Sequence, residues 1–463
     1  MATPLPTHPG IWKLGRAYIF LTPMEQHNPT SGGGSTKATP ERARDKRRYL
    51  PVLVTLLMSV TIFEGYDVTI FHLCTPDIVH NFHLSDLDFG AVASLVRLGG
   101  MAAFVVVMLA DRYGRKPLVS FTVLLYTLFT LFTALSSGLR SFTLFQASAQ
   151  LFLSAEFSLA TIMISEEFPD RWRGMGIAML NMTGLIGVEA ASFLYAPVAG
   201  SSWGWRGMYF IGIGPLLLVA FLRRNLRETD RFIELADRRG ASSSLANSLC
   251  RRAVDAFRLL GGPYRGRLLM VALLWNSVGV VSSPAVTFFT LYARRDRRWS
   301  RGEIGRAIAR SYAIGMSAHV FTGYMLDRVG RKLTTCASYI LGAVAILFLF
   351  QSSGHGAMLT AMIVTVFAFQ GARTATATYS AELFPTEIRA TSYSLTVQVL
   401  GQFATLLTPI TIGALSHALG GLGNAVAVVS IGPLIGALIV GIFAPETRGM
   451  RLEEAGLPES QPQ

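Results

Sequence analysis

Charge is the scarcest resource of this chain. Only 15% of its 463 residues are charged, while 51% are hydrophobic. Soluble chains carry about 25% charged residues, so an ordinary soluble domain is excluded. Cysteine is nearly absent: Cys74, Cys250 and Cys336 are the three present. They form no CxxC, have no histidine at ligand spacing and cannot all pair, which argues against a disulfide framework and against a zinc site. No Gly-x-x-x-x-Gly-Lys-[Ser/Thr] occurs, so the chain holds no ATP-driven motor. No Ser/His/Asp constellation stands out either, and the sequence is not read as an enzyme and calls for no cofactor or metal.

What is abundant is long apolar runs. About 18 to 20 such residues cross roughly 30 Å of hydrocarbon as a helix. Runs between charges predict spans at 51–73, 89–110, 118–137, 142–164, 174–198, 205–222, 267–292, 303–326, 333–352, 357–380, 391–417 and 422–443. The fold class expected is an all-α polytopic membrane protein with twelve transmembrane helices in two six-helix halves. Residues 1–50 read as a disordered cytoplasmic tail, 51–222 as the N-terminal half, 223–266 as a cytoplasmic linker, 267–443 as the C-terminal half and 444–463 as a cytoplasmic C-terminal tail. Met24 is an alternative start.

The formal net charge of +13 does not indicate nucleic acid, because the basic residues sit in short loops rather than on one soluble face. Most of them fall in the segments that would be cytoplasmic if both termini are inside, as the positive-inside rule requires. The exception is a cluster after the seventh span: Arg294, Arg295, Arg297, Arg298 and Arg301. Late loops translocate largely whatever their charge, and the alternative is a positive vestibule that concentrates anions outside. Arginine far outnumbers lysine and no external Asn-x-[Ser/Thr] occurs, which favours a bacterial plasma (inner) membrane.

An internal repeat organises the rest. Asp111-Arg-Tyr-Gly-Arg-Lys116 recurs as Asp327-Arg-Val-Gly-Arg-Lys332, 216 residues later. Glu166, Phe168, Pro169 and Arg173 recur as Glu382, Phe384, Pro385 and Arg389 at the same offset of 216. Glu228-Thr229 and Glu446-Thr447 form a third, weaker echo at 218. Two unrelated motifs at one offset mark a parallel repeat of two halves.

With these motifs the sequence resembles the major facilitator superfamily, which repeats a G-x-x-x-D-R-x-G-R-[RK] loop after its second and eighth helices. Gly323-Tyr-Met-Leu-Asp-Arg-Val-Gly-Arg-Lys332 matches in full, and in the first copy Val107 replaces the leading glycine. Gly65-Tyr66-Asp67, the loops around Glu166 and Glu382, and Pro445-Glu-Thr-Arg-Gly449 resemble the sugar-porter and metabolite:proton symporter branches. The resemblance implies that Asp111, Arg112, Arg115, Glu166 and Arg173, with Asp327, Arg328, Arg331, Glu382 and Arg389, latch the cytoplasmic side while the carrier faces outward. It also shows departures: the helix 7 glutamines of sugar porters are missing, and each sugar hydroxyl needs a partner once it leaves water.

A charged side chain within a span costs about 2.5 to 3.5 kcal/mol on insertion scales, so each one retained is a functional candidate. Asp67, Glu64, Glu156 and Glu189 are the proton-coupling candidates, because burial raises a carboxylate's affinity for protons. The competing reading for Asp67 is a permanently ionised partner of Arg97, and for Glu156 and Glu189 neutral acids hydrogen-bonded between helices. At about 1.5 Å per residue, Asp67, Arg97, Glu156 and Glu189 share one level near the midplane. Arg97 and Arg373 suit an anionic substrate, since a guanidinium stays charged and grips a carboxylate with two donors. The rival for Arg373 is a fixed ion pair with an acid of the other half. Trp275, Asn276, Gln370, Gln398 and Gln402 are candidate cavity contacts, and His319 reads as a core histidine. The function expected is proton-coupled uptake of a small, anionic organic metabolite by alternating access, in a carrier whose partners are its substrate, protons and the bilayer, and which acts as a monomer. A sugar:proton symporter and a proton-antiport drug exporter are the alternatives.

Overall fold

The computed structural model describes residues 40–167, 173–222, 228, 258–385, 388, 392–393 and 395–450. Among them every regular element is a helix. Residues 1–47 and 48–463 form separate units. Helix α1 (Pro40–Leu73) begins ten residues earlier than the expected end of the tail. Pro40 suits that start, because a proline at the first helical position gives up only an N–H that has no helical partner. The short α2 (Thr75–Asn81) follows, then α3 (Asp86–Tyr113), α4 (Arg115–Leu135), α5 (Leu139–Glu167), α6 (Arg173–Ala199) and α7 (Gly204–Leu222).

The C-terminal helices are more broken. Helix α8 (Arg265–Ser283) passes through a π-helical turn, Pro284–Phe288, into α9 (Phe289–Arg295). Pro284 lacks the N–H that would continue the α-helical ladder, which gives the turn its place. Helices α10 (Arg301–Gly315) and α11 (Ser317–Arg328) meet at Met316. They are followed by α12 (Arg331–Gln351) and α13 (His355–Glu382). After a second π turn, Leu395–Val399, and a 3-10 turn, Leu400–Gln402, come α14 (Phe403–Ala418), α15 (Leu422–Val429) and α16 (Ile431–Phe443).

Nine helical stretches among the described residues are long and apolar enough to cross a membrane. The expected spans 267–292, 303–326 and 205–222 are not among the nine, and in the last of these several side chains lie outside the described residues. The first is interrupted by the π turn, and the second is divided between two helices and carries Arg306 and Arg310. The expected 1–39 tail, most of the 223–266 linker and 451–463 lie outside the described residues.

The two most extensive packings between the N-terminal helices and the C-terminal ones are α3 against α14 and α6 against α10. The first needs glycine: a Cβ on Gly90 would overlap the Pro409 backbone, and one on Gly413 the Asp86 backbone. Such close approach is how helices pack where lipid supplies no hydrophobic drive. Around it lies the largest apolar cluster, which takes Ile70, Phe71 and Phe89 from one side of the sequence and Phe288, Tyr292 and Ile412 from the other.

The sequence repeat has a structural counterpart. Helices α4 and α12 each start after a glycine with positive φ, Gly114 at 92° and Gly330 at 121°, which offers no side chain to cap the first turn. The caps come from far along the chain. Glu228 accepts from the Arg115 and Lys116 N–H groups at 2.8 and 3.2 Å, and Glu446 accepts from those of Arg331 and Lys332 at 2.8 and 3.1 Å. The weak third echo of the repeat is therefore a pair of equivalent caps, each placing a carboxylate at a positive helix N-terminus.

Candidate functional site

Helix α1 carries Glu64 and Asp67 three residues apart, hence on one face. Asp67 is 2% exposed and Glu156, on α5, is 1% exposed. The Thr122 hydroxyl donates to the Glu156 carboxylate at 2.6 Å, and the Tyr126 hydroxyl lies beside Asp67. Glu64 has Glu156 and, from α13, Arg373 as its charged neighbours. Glu64 thus lies in the electrostatic field of one acid of the N-terminal helices and one arginine of the C-terminal ones. Glu189, half-buried on α6, stands outside it.

Arg97, on α3, forms a second focus. Its Nη2 lies 3.4 Å from Nε2 of His72, and Tyr312 of α10 is its electrostatic neighbour. Tyr312 also lies in the field of Arg373 and meets Phe369 edge-on at 6.3 Å between ring centroids. Arg373 itself is exposed. His319 contacts the Thr374 hydroxyl at 2.8 Å and also feels Arg373.

The amide and aromatic candidates separate. Asn276 donates to the Ala272 and Leu400 carbonyls, both at 2.8 Å, and accepts from the Ala404 N–H at 2.6 Å. It clasps α8 to the broken stretch before α14. Trp275 donates to the Ser380 hydroxyl at 2.9 Å, and Gln402 to the Val397 carbonyl at 3.0 Å. Gln370 is buried with no hydrogen-bond partner on its carbonyl oxygen, which leaves an acceptor on offer. The Gln398 side chain lies outside the described residues.

Of the repeated-loop candidates, the C-terminal copy is the better defined. Arg331 pairs with Glu382 and with Asp327, each at 3.1 Å, and Glu382 also accepts from the Thr447 hydroxyl at 2.5 Å. Arg328 is exposed and lies 5.4 Å from the Tyr324 ring centroid. These contacts all stay within the C-terminal helices. Arg115 is buried. The side chains of Asp111, Arg112, Glu166 and Arg173, and Arg389 altogether, lie outside the described residues.

Polar contacts between the N-terminal and C-terminal helices gather at the opposite end of the bundle. Arg301 pairs with Asp77 at 2.5 Å, and the Tyr195 hydroxyl donates to the same carboxylate at 3.0 Å. Arg295 pairs with Asp86 at 2.5 Å, and Ser416 donates to Asp86 at 2.9 Å. The Thr290 hydroxyl donates to the His72 carbonyl at 2.7 Å. Two of the five clustered loop arginines therefore tie the two sides together. Arg297 instead donates to the Tyr292 hydroxyl at 2.6 Å, and Arg294 to the Trp299 carbonyl at 3.0 Å. Sequence reasoning saw this cluster and missed its partners, Asp77 and Asp86.

A family model described as Major Facilitator Superfamily matches residues 57–409 and 271–459. Among curated proteins, the niacin transporter NiaP of Acinetobacter baylyi is 24% identical over 433 residues, covering 87% of this chain and 96% of that protein. The gallate transporter of Pseudomonas putida is 25% identical over 402 residues, with 80% and 87% covered. The 4-hydroxybenzoate transporter PcaK of Pseudomonas aeruginosa is 24% identical over 377 residues, with 77% and 84% covered. A solved D-xylose-proton symporter superposes with a TM-score of 0.71 at 17% identity, over 87% of this chain and 99% of its own. A bacterial homologue of the lysosomal transporter Spinster, solved inward-facing and occupied, also gives 0.71 at 17% identity, with 86% and 96% covered.

Proposed function

The chain belongs to the Major Facilitator Superfamily and is a multi-pass membrane transporter rather than an enzyme, and from that premise we propose that it is a proton-coupled symporter of a small aromatic or related organic carboxylate, working by alternating access between two six-helix halves. The observation that carries the reading is the placement of Glu64 in the field of both Glu156 and, from the other half, Arg373, whose field also takes in Tyr312, the ring that meets Phe369. A guanidinium in the membrane needs an anion. With Glu64 ionised, Arg373 has one inside the protein. Once a proton neutralises Glu64, the guanidinium is free to take the substrate carboxylate. Loss of the proton on the other side returns Arg373 to Glu64 and expels the substrate. Asp67, buried beside Tyr126, is a second site for the travelling proton. Tyr312 and Phe369 supply an aromatic wall within the field of both Arg97 and Arg373, which suits an aromatic acid. The names of the gallate and 4-hydroxybenzoate transporters support the same class.

In this reading the end closed by Asp77, Asp86, Arg295 and Arg301 faces outward, both termini are cytoplasmic, and the conformation is inward-facing. The membrane is the bacterial inner membrane. The test is uptake by proteoliposomes under an imposed proton gradient, across a panel of aromatic carboxylates, sugars and organic cations. Asp67→Asn should abolish gradient-driven accumulation and leave counterflow exchange, because an amide keeps the hydrogen-bonding shape and cannot cycle a proton. Accumulation of a sugar or a cation in place of a carboxylate, or an unaltered pH response in Asp67→Asn, overturns the proposal.

A further inference from the structure

Helices α10 and α11 have one face that turns away from the protein. On α11 and the end of α10 it is apolar: Ile314 is 47%, Val320 79%, Phe321 50% and Tyr324 52% exposed. In a membrane protein that surface is covered by acyl chains. At helical spacing the same face continues back toward the start of α10 as Arg310 and Arg306, both exposed. They lie about 8 and 14 Å along the helix from Arg301, within reach of one leaflet's headgroup level by snorkelling. Tyr312 and Gly305, which face Arg373 and Ser192, sit on a different side of the helix, so the two arginines do not belong to the central site.

Two guanidiniums on this exposed stripe need an anion, and among the described residues no carboxylate forms an ion pair with either. Among the described residues Arg310 makes no hydrogen bond or ion pair. Arg306 lies only in the field of Glu303. That carboxylate is already engaged, accepting from the Ser300 N–H and hydroxyl, both at 2.8 Å, and facing His355 at 3.4 Å. Between the arginines and the first turns of α13 opens a cleft of about 340 Å³, walled by Trp299, Glu303, Ala307, His355 and Leu359. Trp299 and His355 stack at 4.0 Å and hold its upper rim. Ile314, the first residue of the exposed apolar stripe, follows the cleft's Arg310 one helical turn on.

We propose that this groove between α10 and α13 is a binding site for an anionic phospholipid, with the headgroup phosphate held by Arg306 and Arg310 and one acyl chain laid along Ile314, Val320 and Phe321. The arrangement matches both parts of such a molecule, and a soluble anion would use only the first. Site and substrate cavity are separate, so the proposal does not depend on what the carrier transports.

The test uses the full chain in nanodiscs of phosphatidylcholine containing a minor fraction of phosphatidylglycerol, with retained lipid counted by native mass spectrometry after release. Wild type should retain phosphatidylglycerol in excess of its bulk share. Arg306→Gln and Arg310→Gln should each weaken retention about fivefold, since one arginine near a membrane surface contributes roughly that much. The lysine variants at both positions should keep most of it, which separates lost charge from misfolding. Retention at the bulk ratio by wild type overturns the proposal. So does displacement of the lipid by inorganic phosphate, which would make the cleft a free-anion site, or equal retention by the double glutamine variant.

Discussion

Neutralising Asp77 and Asp86 should open the end of the bundle they now close. Each carboxylate is held by one arginine and one hydroxyl from the far side of the interface or beside it: Arg301 and Tyr195 for Asp77, Arg295 and Ser416 for Asp86. Both arginines approach to 2.5 Å and have a second donor on the same carboxylate, at 3.4 Å for Arg301 and 3.2 Å for Arg295. The arginine side chains are 30% and 43% exposed and the aspartates 15% each, so water screens the pairs in part. Screened charge-assisted pairs of this geometry contribute about 1 kcal/mol each. Together the two hold the closed state by about 2 kcal/mol, or roughly a thirtyfold population ratio. The chain supplies its own reporter: Cys74, between α1 and α2, is fully buried in the apolar cluster built from both sides of the interface. In a Cys250→Ser, Cys336→Ser background, the rate at which an impermeant maleimide labels Cys74 follows the open population. Asp77→Asn or Asp86→Asn alone should raise it about fivefold, and the pair about thirtyfold. High salt should speed labelling of the unmutated protein and leave the double variant unaffected. Normal insertion with unchanged Cys74 labelling in the double variant would refute the gate.

Arg373→Lys should weaken carboxylate transport by about tenfold in apparent affinity, because an ammonium cannot reproduce a two-donor grip; a binding titration with unchanged affinity removes Arg373 from the substrate site. Glu446 is exposed, and what little burial it has raises a carboxyl's pKa, yet the N–H groups of Arg331, Lys332 and Arg448 outweigh that and hold it below the ordinary carboxylate value. Its contribution to stability is therefore present at neutral pH and lost as pH falls through its lowered value, and Glu446→Gln should cost about 0.5 kcal/mol at pH 7 and flatten the acid limb of the melting profile. Identical acid limbs in the two proteins would remove the cap from the account. Asp111→Asn should insert normally and shift crosslinking of the cytoplasmic loops toward the inward-open state with slower transport; an unchanged crosslinking pattern would leave that loop a topology signal only.

How much of this was legible in the sequence depended on distance along the chain. Helices are local, so apolar runs located the membrane helices, and the repeated loops disclosed themselves because each motif is contiguous. The breaks were less visible. Pro284 is in plain sight at the π turn, but a proline inside an apolar run does not say whether the helix stops, kinks or carries on. Contacts that close over hundreds of residues left no trace. Asp77 and Arg301 are 224 residues apart and Asp86 and Arg295 are 209 apart. Read as isolated loop charges, the arginines suggested either an exception to the charge rule in a late loop or a positive vestibule.

The midplane charges show a similar division. Periodicity put Asp67, Arg97, Glu156 and Glu189 at one depth, and depth is all that a count along a helix can give. Which way each side chain turns is decided by how the helices pack. That packing puts Glu64, rather than Asp67, in the field of Glu156 and Arg373, sets Arg97 against His72 and in the field of Tyr312, and, among the described residues, leaves Glu189 without a charged neighbour acting on it. The same limit hid Arg306 and Arg310. Their spacing puts them on one face, but only the exposed apolar surface next to them on that face supports its assignment to lipid. A charged residue in a span therefore poses two separate questions, how deep it lies and what it looks at. The sequence answers the first by counting, and the second requires the neighbouring helix. For a carrier the second question separates a coupling acid from a gate, and either of them from a lipid anchor.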